Sequence, residues 1–453
     1  MTHDPSDLGS FDRDVARAFA AWRTWKHDIA SDPKSRASEE PLERWRAVTG
    51  KSLYETLGEL SPSASEVPHR DALRRWVYAL MQARIAQPLD AELALAEHEK
   101  SAHATIPEPH LASFRDALRG IVGGATAHER GAWLETACMR GPALASVARR
   151  RRERRDEVAH RLGLAHEDAL FAVPREALVS AALALLTRTD DIAHAALRDA
   201  RKRGELQESP PLAVDAIAIS VSRDAPEGWP ARLSWQWLDS TFGMFTKGLR
   251  LEPPRIVSPI GASTFARACS AFGASLRVAG ASPSLPFALA RDPQFTAMHR
   301  FGCVFGALVA SPAFQRRVLG NGARVASNQA RTLAGMALLY TRLEAARFLV
   351  ARAPSAIPFD DLTARVFGAP LPRPLAGAWP RAEDDAPARL LAVLTAPALA
   401  FDLVDRFDED WFANPRAVLH LRAIASGPAQ EDPPADVATT VGPLARAFEE
   451  ACG

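Results

Sequence analysis

The chain has 453 residues, 47% hydrophobic and 24% charged, which excludes a disordered or fibrous protein. Its length allows two or three domain-sized cores or one large helical body. Lys plus Arg number 55 against 54 Asp plus Glu, so the basic excess of a general nucleic-acid or anionic-membrane binder is missing.

Ala, Leu and Arg dominate and Tyr occurs only three times, a bias toward helices over sheets. Four cysteines, Cys138, Cys269, Cys303 and Cys452, lie far apart. No close pair suggests a disulfide framework or a structural zinc site, and a reducing cytoplasm is the simplest compartment. The opening stretch "MTHDPSDLGSFDRD" is polar and acidic, without the apolar core of a signal peptide. No uninterrupted apolar run reaches the ~18 residues of a membrane span. The expectation is a cytoplasmic protein without membrane association.

In chain order, "FDRDVARAFAAWRTWKHDIA" places Phe11, Val15, Phe19, Trp22 and Ile29 on one helical stripe. "RDALRRWVYALMQARIA" does the same with Leu73, Trp76, Val77, Leu80 and Met81. Further helices are predicted over Asp90–His103, Pro109–Val122 and Ala127–Leu162. Within the last of these, the run Arg149–Arg155 reads either as the solvated face of a long helix or as a phosphate-binding patch. The lack of an accompanying aromatic platform favours the solvated face and disfavours nucleic acid.

After Gln207, segments rich in Pro and Gly break the pattern, and "AVDAIAISVS" (213–222) is the best strand candidate. Helices resume at Ser263–Val278, Phe295–Val309 and Arg324–Arg352. A final group covers Ala388–Phe407, Asn414–Ala425 and a short terminal helix. The fold class is therefore mostly α, a large multi-helix body with at most a small β element. A division into residues 1–150 and 151–453 is expected, or one continuous body.

No Walker-type phosphate loop, dinucleotide fingerprint, G-x-S-x-G elbow or H-E-x-x-H motif is present. The aromatic run "WPARLSWQWLDSTFGMF" offers Trp229, Trp235 and Trp237, which either line a ligand cleft or close a core. "FDEDWF" reads as a helix-terminal turn over packed Trp411 and Phe412.

Several segments fall in a suggestive order. "SAFGASL" is followed by "SPSLPFALARDPQFT" and then by "AMHRFGCVFGALVASPAFQRRVLG". Later come "LLYTRLEAARFLVAR" and "VDRFDEDWFANPRAVLHLRAIASG". From about Arg151 to Gly427, and best from Thr264 to Ala353, the chain resembles zinc metallopeptidases of the thimet-oligopeptidase and oligoendopeptidase type. In that family the corresponding pieces read "HE-x-GH", "TEGxAxLFE", "DPxWxxRxLG", "LYxLRRYAAKLxYE" and "YGxDWWxNPxAGxxLRxLWxxG". The resemblance implies a helical peptidase fold and places the family's zinc ligands and general base at Ser270, Ala271, Ala274 and His299.

Zinc catalysis needs three protein donors and an open position for water. Two His at i and i+4 supply the core of such a site, and the adjacent Glu takes the proton. Ser270 is a poor donor, and Ala271 and Ala274 have none. The family's substrate-binding strand hairpin is also in doubt, because the interval Leu249–Gly261 is short and rich in Pro. The expectation is a peptidase-like protein without zinc, cofactor or peptidase activity, binding an unknown protein or peptide partner through an interhelical cleft. His299, Cys303, Cys269, Trp235 and Trp237 are candidates to line that cleft.

Two alternatives stay open. One is a repurposed enzyme using His299, Cys303 or Cys269, for which Asp292 is the only acid nearby in sequence. A buried Cys beside a satisfied His explains the same residues. The other is weak nucleic-acid association through Arg149–Arg155.

Overall fold

A computed structural model describes residues 7–99, 112–123, 127–202, 233–251, 262–381, 384–429 and 436–452. Among them there is no strand. The strand candidate at 213–222, Trp229 and residues 252–261 lie outside the described residues.

The helices are α1 (Leu8–Ser31), α2 (Pro33–Arg36), α3 (Lys51–Glu59), α4 (Val67–His98), α5 (Phe114–Gly123) and α6 (Ala127–Arg161). They continue with α7 (Arg175–Lys202), α8 (Trp235–Thr246), α9 (Ala262–Ala279), α10 (Phe287–Ala290), α11 (Thr296–Ala307) and α12 (Pro312–Arg317). The last are α13 (Ala323–Arg352), α14 (Phe359–Phe367), α15 (Ala386–Phe407), α16 (Pro415–Ser426) and α17 (Val441–Cys452).

Local sequence explains many of the ends. Asp7 caps α1 by accepting from Ser10 N at 2.9 Å, and Ser234 caps α8 from Trp237 N at 3.2 Å. Pro occupies the first turn of α2, α12 and α16, where its missing N–H costs nothing. Gly368, at φ 74, ends α14 in the left-handed conformation.

One expected boundary moves. The helices read over Arg70–Ala86 and from Asp90 are one, because α4 runs through Pro88 without a break. Residue 150 lies inside α6, which continues to Arg161.

Among the described residues three large apolar clusters fill the body, with a small fourth around Trp25, Ile29 and Ala91. The first joins α1, α3 and α4 to the end of α6 and to α10, with Trp76 almost wholly buried. The second gathers α8, α9, α11, α12 and α16 around Phe242, Phe272, Phe305 and Trp411. Trp411 and Phe412 lie buried beneath the turn after α15, as the sequence suggests. The third and largest joins α5, α6 and α7 to α13, α14, α15 and α17. By length and composition alone, α15 could cross a membrane, with mean hydropathy 1.5. However, 61% of its apolar window is buried against other helices, so its hydrophobicity serves a core.

α9 and α11 pack at unusually short range. A Cβ on Gly273 would lie 2.5 Å from the Phe301 carbonyl oxygen and 2.7 Å from the Phe305 ring. A Cβ on Gly302 would lie 3.0 Å from Ser270 Oγ, and one on Gly306 would lie 3.2 Å from Ser270 Cβ. At Gly273 glycine is required for the space it leaves, and at Gly302 and Gly306 a side chain would press on Ser270; all three residues are helical, so space and not φ decides. At the far end of α9, buried Arg277 donates to the Ala425, Gly427 and Pro428 carbonyls at 3.0, 3.2 and 2.8 Å. It thereby satisfies carbonyls left open at the end of α16.

These contacts set a prediction for Gly273→Ala. Alanine favours a helix by about 1 kcal/mol, yet here it forces Phe301 and Phe305 to move. Overpacking costs about 1–3 kcal/mol. Urea unfolding is expected to give a lower midpoint for the variant, and a higher midpoint would contradict this packing.

Candidate functional site

Ser270 and Ala274 both face Gly302, whose added Cβ would stand 3.7 Å from Ala274 Cβ. The two segments expected to hold a metal therefore do meet, but as touching helices. His299 lies one turn before Gly302 and turns elsewhere. Its Nε2 is 2.7 Å from Asp385 Oδ2, at the residue preceding α15. Asp385 also receives Arg389 Nε at 2.9 Å. The orienting acid for His299 is thus Asp385, remote in sequence, and not Asp292. Asp292 instead precedes α11 and accepts from Gln294 N at 2.8 Å and Thr296 N at 2.7 Å, a helix-start role.

Zinc does not fit these residues. Ser270, Ala271 and Ala274 offer no His or carboxylate, and His299 is engaged by an acid on its far side. Among the described residues, no group of three or more His, Cys, Asp or Glu is placed to hold a metal ion. The thiols are equally unsuited to nucleophilic work. Burial pushes both Cys269 and Cys303 up to about 12, so neither carries a thiolate near neutral pH.

A large cavity lies elsewhere, between the first cluster and the helices α11 and α15. Its volume is about 720 Å³. α1 and α4 contribute Trp22, Arg75 and Trp76, and the opposite wall carries Phe295, Arg300 and Arg389. His299, Cys303, Cys269, Trp235 and Trp237, expected to line a cleft, are all outside its lining. The reason is packing. Trp237 meets Phe265 edge-on at 5.2 Å, Trp235 lies 6.3 Å from Phe272, and Cys269 is fully buried in the same core.

Two sets of contacts hold the cavity's walls. The first is aromatic: Trp76 lies 4.9 Å from both Phe19 and Phe287 and 6.2 Å from Phe295. Trp76 Nε1 donates to the Arg291 carbonyl at 2.7 Å, and Asp12 accepts from Phe287 N and Ala288 N at 2.7 and 2.9 Å. These bonds fasten α1 and α4 to the segment before α11. Phe295 within that segment takes a left-handed conformation, φ 61, which is rare for a bulky residue.

The second is an ion network built from the arginine run. Arg151 forks onto Asp384 at 2.6 and 2.7 Å and reaches Asp90 at 2.5 Å. Arg155 bonds Glu167 at 2.6 Å, Asp384 at 2.7 Å and Gln82 Oε1 at 3.0 Å. Arg352, at the end of α13, adds Glu167 at 3.0 Å and Asp168 at 2.7 Å. Burial alone would raise the Asp384 carboxyl, but Arg151 and Arg155 hold it well below the usual carboxylate range. The solvated-face reading of Arg149–Arg155 therefore holds for Arg149, Arg150 and Arg154. It fails for Arg151 and Arg155, which face inward.

The sequence reading missed Asp384, Asp385, Glu167 and Arg352. A signal existed for the inward arginines. Leu144, Val147 and Val158 are buried on one stripe of α6, and Arg151 and Arg155 continue its spacing of three and four.

No protein-family model matches the chain, and no curated protein matches it. Among solved structures, its fold is similar to the crystal structure of a protein described as an oligoendopeptidase F from Bacillus anthracis str. Ames. The TM-score is 0.50 at 11% sequence identity, over 98% of this chain and 85% of that one. At that identity the likeness concerns the fold alone, a helical peptidase-type architecture.

The His299–Asp385 pair has a pH signature. Burial works to raise Asp385, but the His299 hydrogen bond and the Arg389 charge leave it below the ordinary 3.8. A carboxylate lowered in the folded state adds stability above the unfolded value, and this is lost as pH falls through the folded one. Asp385→Asn is expected to cost about 1–3 kcal/mol near neutral pH. The difference from the unaltered chain is expected to shrink below about pH 4. Urea midpoints measured across that range test this, and a pH-independent difference would contradict it.

Proposed function

We propose that this chain is a non-catalytic, peptidase-like protein whose interhelical cleft binds a ligand or partner without cleaving it. The observation carrying this reading is the contact of Ser270 and Ala274 with Gly302, where a metallopeptidase would need donors around an ion. A side chain packed against a helix backbone leaves no open coordination position, and without bound metal no water is activated there. The fold likeness supplies the scaffold, and the cavity of about 720 Å³ supplies the binding volume, within the range of small-molecule and cofactor sites. Peptide or protein occupancy, a cytoplasmic location and independence from metals and cofactors belong to this reading. So does one continuous helical body, supported by α6 running through residue 150.

The alternatives have less support. Thiol chemistry meets a buried Cys269 and a half-buried Cys303, both with thiols pushed up by burial. Nucleic-acid association meets an arginine run whose inward members are spent on Asp90, Glu167 and Asp384.

The test is incubation with a mixed-sequence peptide library, with and without added zinc, read by mass spectrometry. The expected outcome is retention of some peptides with no new fragments. Zinc-dependent cleavage abolished by a chelator would overturn the reading.

A further inference from the structure

Among the large apolar side chains exposed on the described residues, Phe401 at 57% and Val404 at 40% lie one turn apart on α15. Single exposed apolar residues are ordinary, so the setting decides what these two mean. Positions 401, 404, 405 and 408 are spaced i, i+3, i+4 and i+7. That spacing puts Phe401, Val404, Asp405 and the C-cap Asp408 on one face of the helix. All four are exposed. Ala398, a turn before Phe401, is also exposed and belongs to the cavity lining. The face therefore starts at the cleft and runs outward to the end of α15. On the next helix, exposed Leu419 precedes His420, whose Nε2 is 3.2 Å from Asp402.

The charges on this face oppose their own helix. Carbonyls left open at a helix C-terminus carry partial negative charge, so cations are favoured there and carboxylates are not. Asp405, Asp408 and Glu409 nonetheless stand exposed at the end of α15. The nearby cations are committed elsewhere: Arg406 bonds Asp402 at 2.6 Å, and Arg317 pairs with Asp410. Among the described residues, the side chains of Asp405, Asp408 and Glu409 have no ion pair or hydrogen bond. Folding gains nothing from three such carboxylates beside two exposed apolar side chains, whereas a cationic partner would complement them. A twofold contact of this face with itself, or contact with an anionic lipid surface, would set like charges together.

We propose that this face docks a basic amphipathic helix of a partner protein. Its apolar side covers Phe401 and Val404, and its Lys or Arg side chains lie over Asp405, Asp408 and Glu409. This is helix recognition through apolar anchors at helical spacing, with flanking charge selecting the partner. The inference goes beyond the reading of the cleft, since it concerns the outer face of α15 whatever the cavity holds.

The test uses the full-length chain and two fluorescein-labelled helical peptides. One is built of Leu and Lys with its Leu residues on one face, and the other has every Lys replaced by Glu. Fluorescence anisotropy is expected to show saturable binding of the Lys peptide at one per chain, roughly tenfold or more tighter than the Glu peptide. Phe401→Ser is expected to weaken the Lys peptide by roughly tenfold, and Val404→Ser by less. Asp405→Lys combined with Glu409→Lys is expected to reverse the preference between the peptides. Met139→Ser, at an exposed position on α6, is expected to change nothing. Equal affinity for the two peptides would overturn the inference. So would binding insensitive to Phe401→Ser, or weakened as much by Met139→Ser. A lowered urea midpoint for Phe401→Ser would show the face covered by this chain itself. Self-association abolished by the same change would show it covered by a second copy, and either result would overturn the proposal. Retention of library peptides that survives Phe401→Ser belongs to the cleft, so the two readings fail separately.

Discussion

The closeness of α9 and α11 is the constraint from which the rest follows. Three glycines, Gly273, Gly302 and Gly306, remove the side chains that would hold the helices apart. The helices consequently meet backbone to side chain, and Ser270 and Ala274 become packing residues. A metal site is a held-open space lined by donors, and close packing is its opposite. His299, one turn away, is drawn toward Asp385 at the start of α15. In this way α11 is pinned on one side by shape and on the other by the His299–Asp385 hydrogen bond.

Open volume lies one layer away, where α1 and α4 face α11 and α15. Its walls need holding apart and holding in register. The aromatic cluster around Trp76 does the first, and the Arg151, Arg155 and Arg352 network does the second. Buried ion pairs of this kind contribute little net stability compared with apolar packing, but losing one partner leaves a charge stranded. They therefore fix which elements meet: α4, α6, the 167–168 segment, the end of α13 and Asp384. A cavity fixed this way can keep its shape without an occupant.

Much of the architecture could be read from periodicity. Apolar stripes such as Leu73, Trp76, Val77, Leu80 and Met81 are the buried face of α4 as drawn from sequence. The two helices read before and after Pro88 are one, since tertiary packing carries α4 through a residue that would end an isolated helix. The order of motif-like segments correctly suggested a peptidase-type helical fold. It also brought α9 and α11 together, although the expected third-ligand position points away. What sequence could not supply was contact between distant segments. Asp385 lies 86 residues from His299, and Asp384 lies 233 from Arg151, so no local spacing links them. Of the two readings open for the tryptophans of α8, Trp235 and Trp237 take core packing, against Phe272 and Phe265.

The central claim is that nothing between α9 and α11 grips a divalent ion. Metal content of protein purified without added metal, measured by inductively coupled plasma mass spectrometry, bears on it most directly. The account predicts far less than one zinc per chain, unchanged by dialysis against a chelator. One tightly held transition-metal ion per chain, lost on Ser270→Ala or His299→Ala, would contradict it.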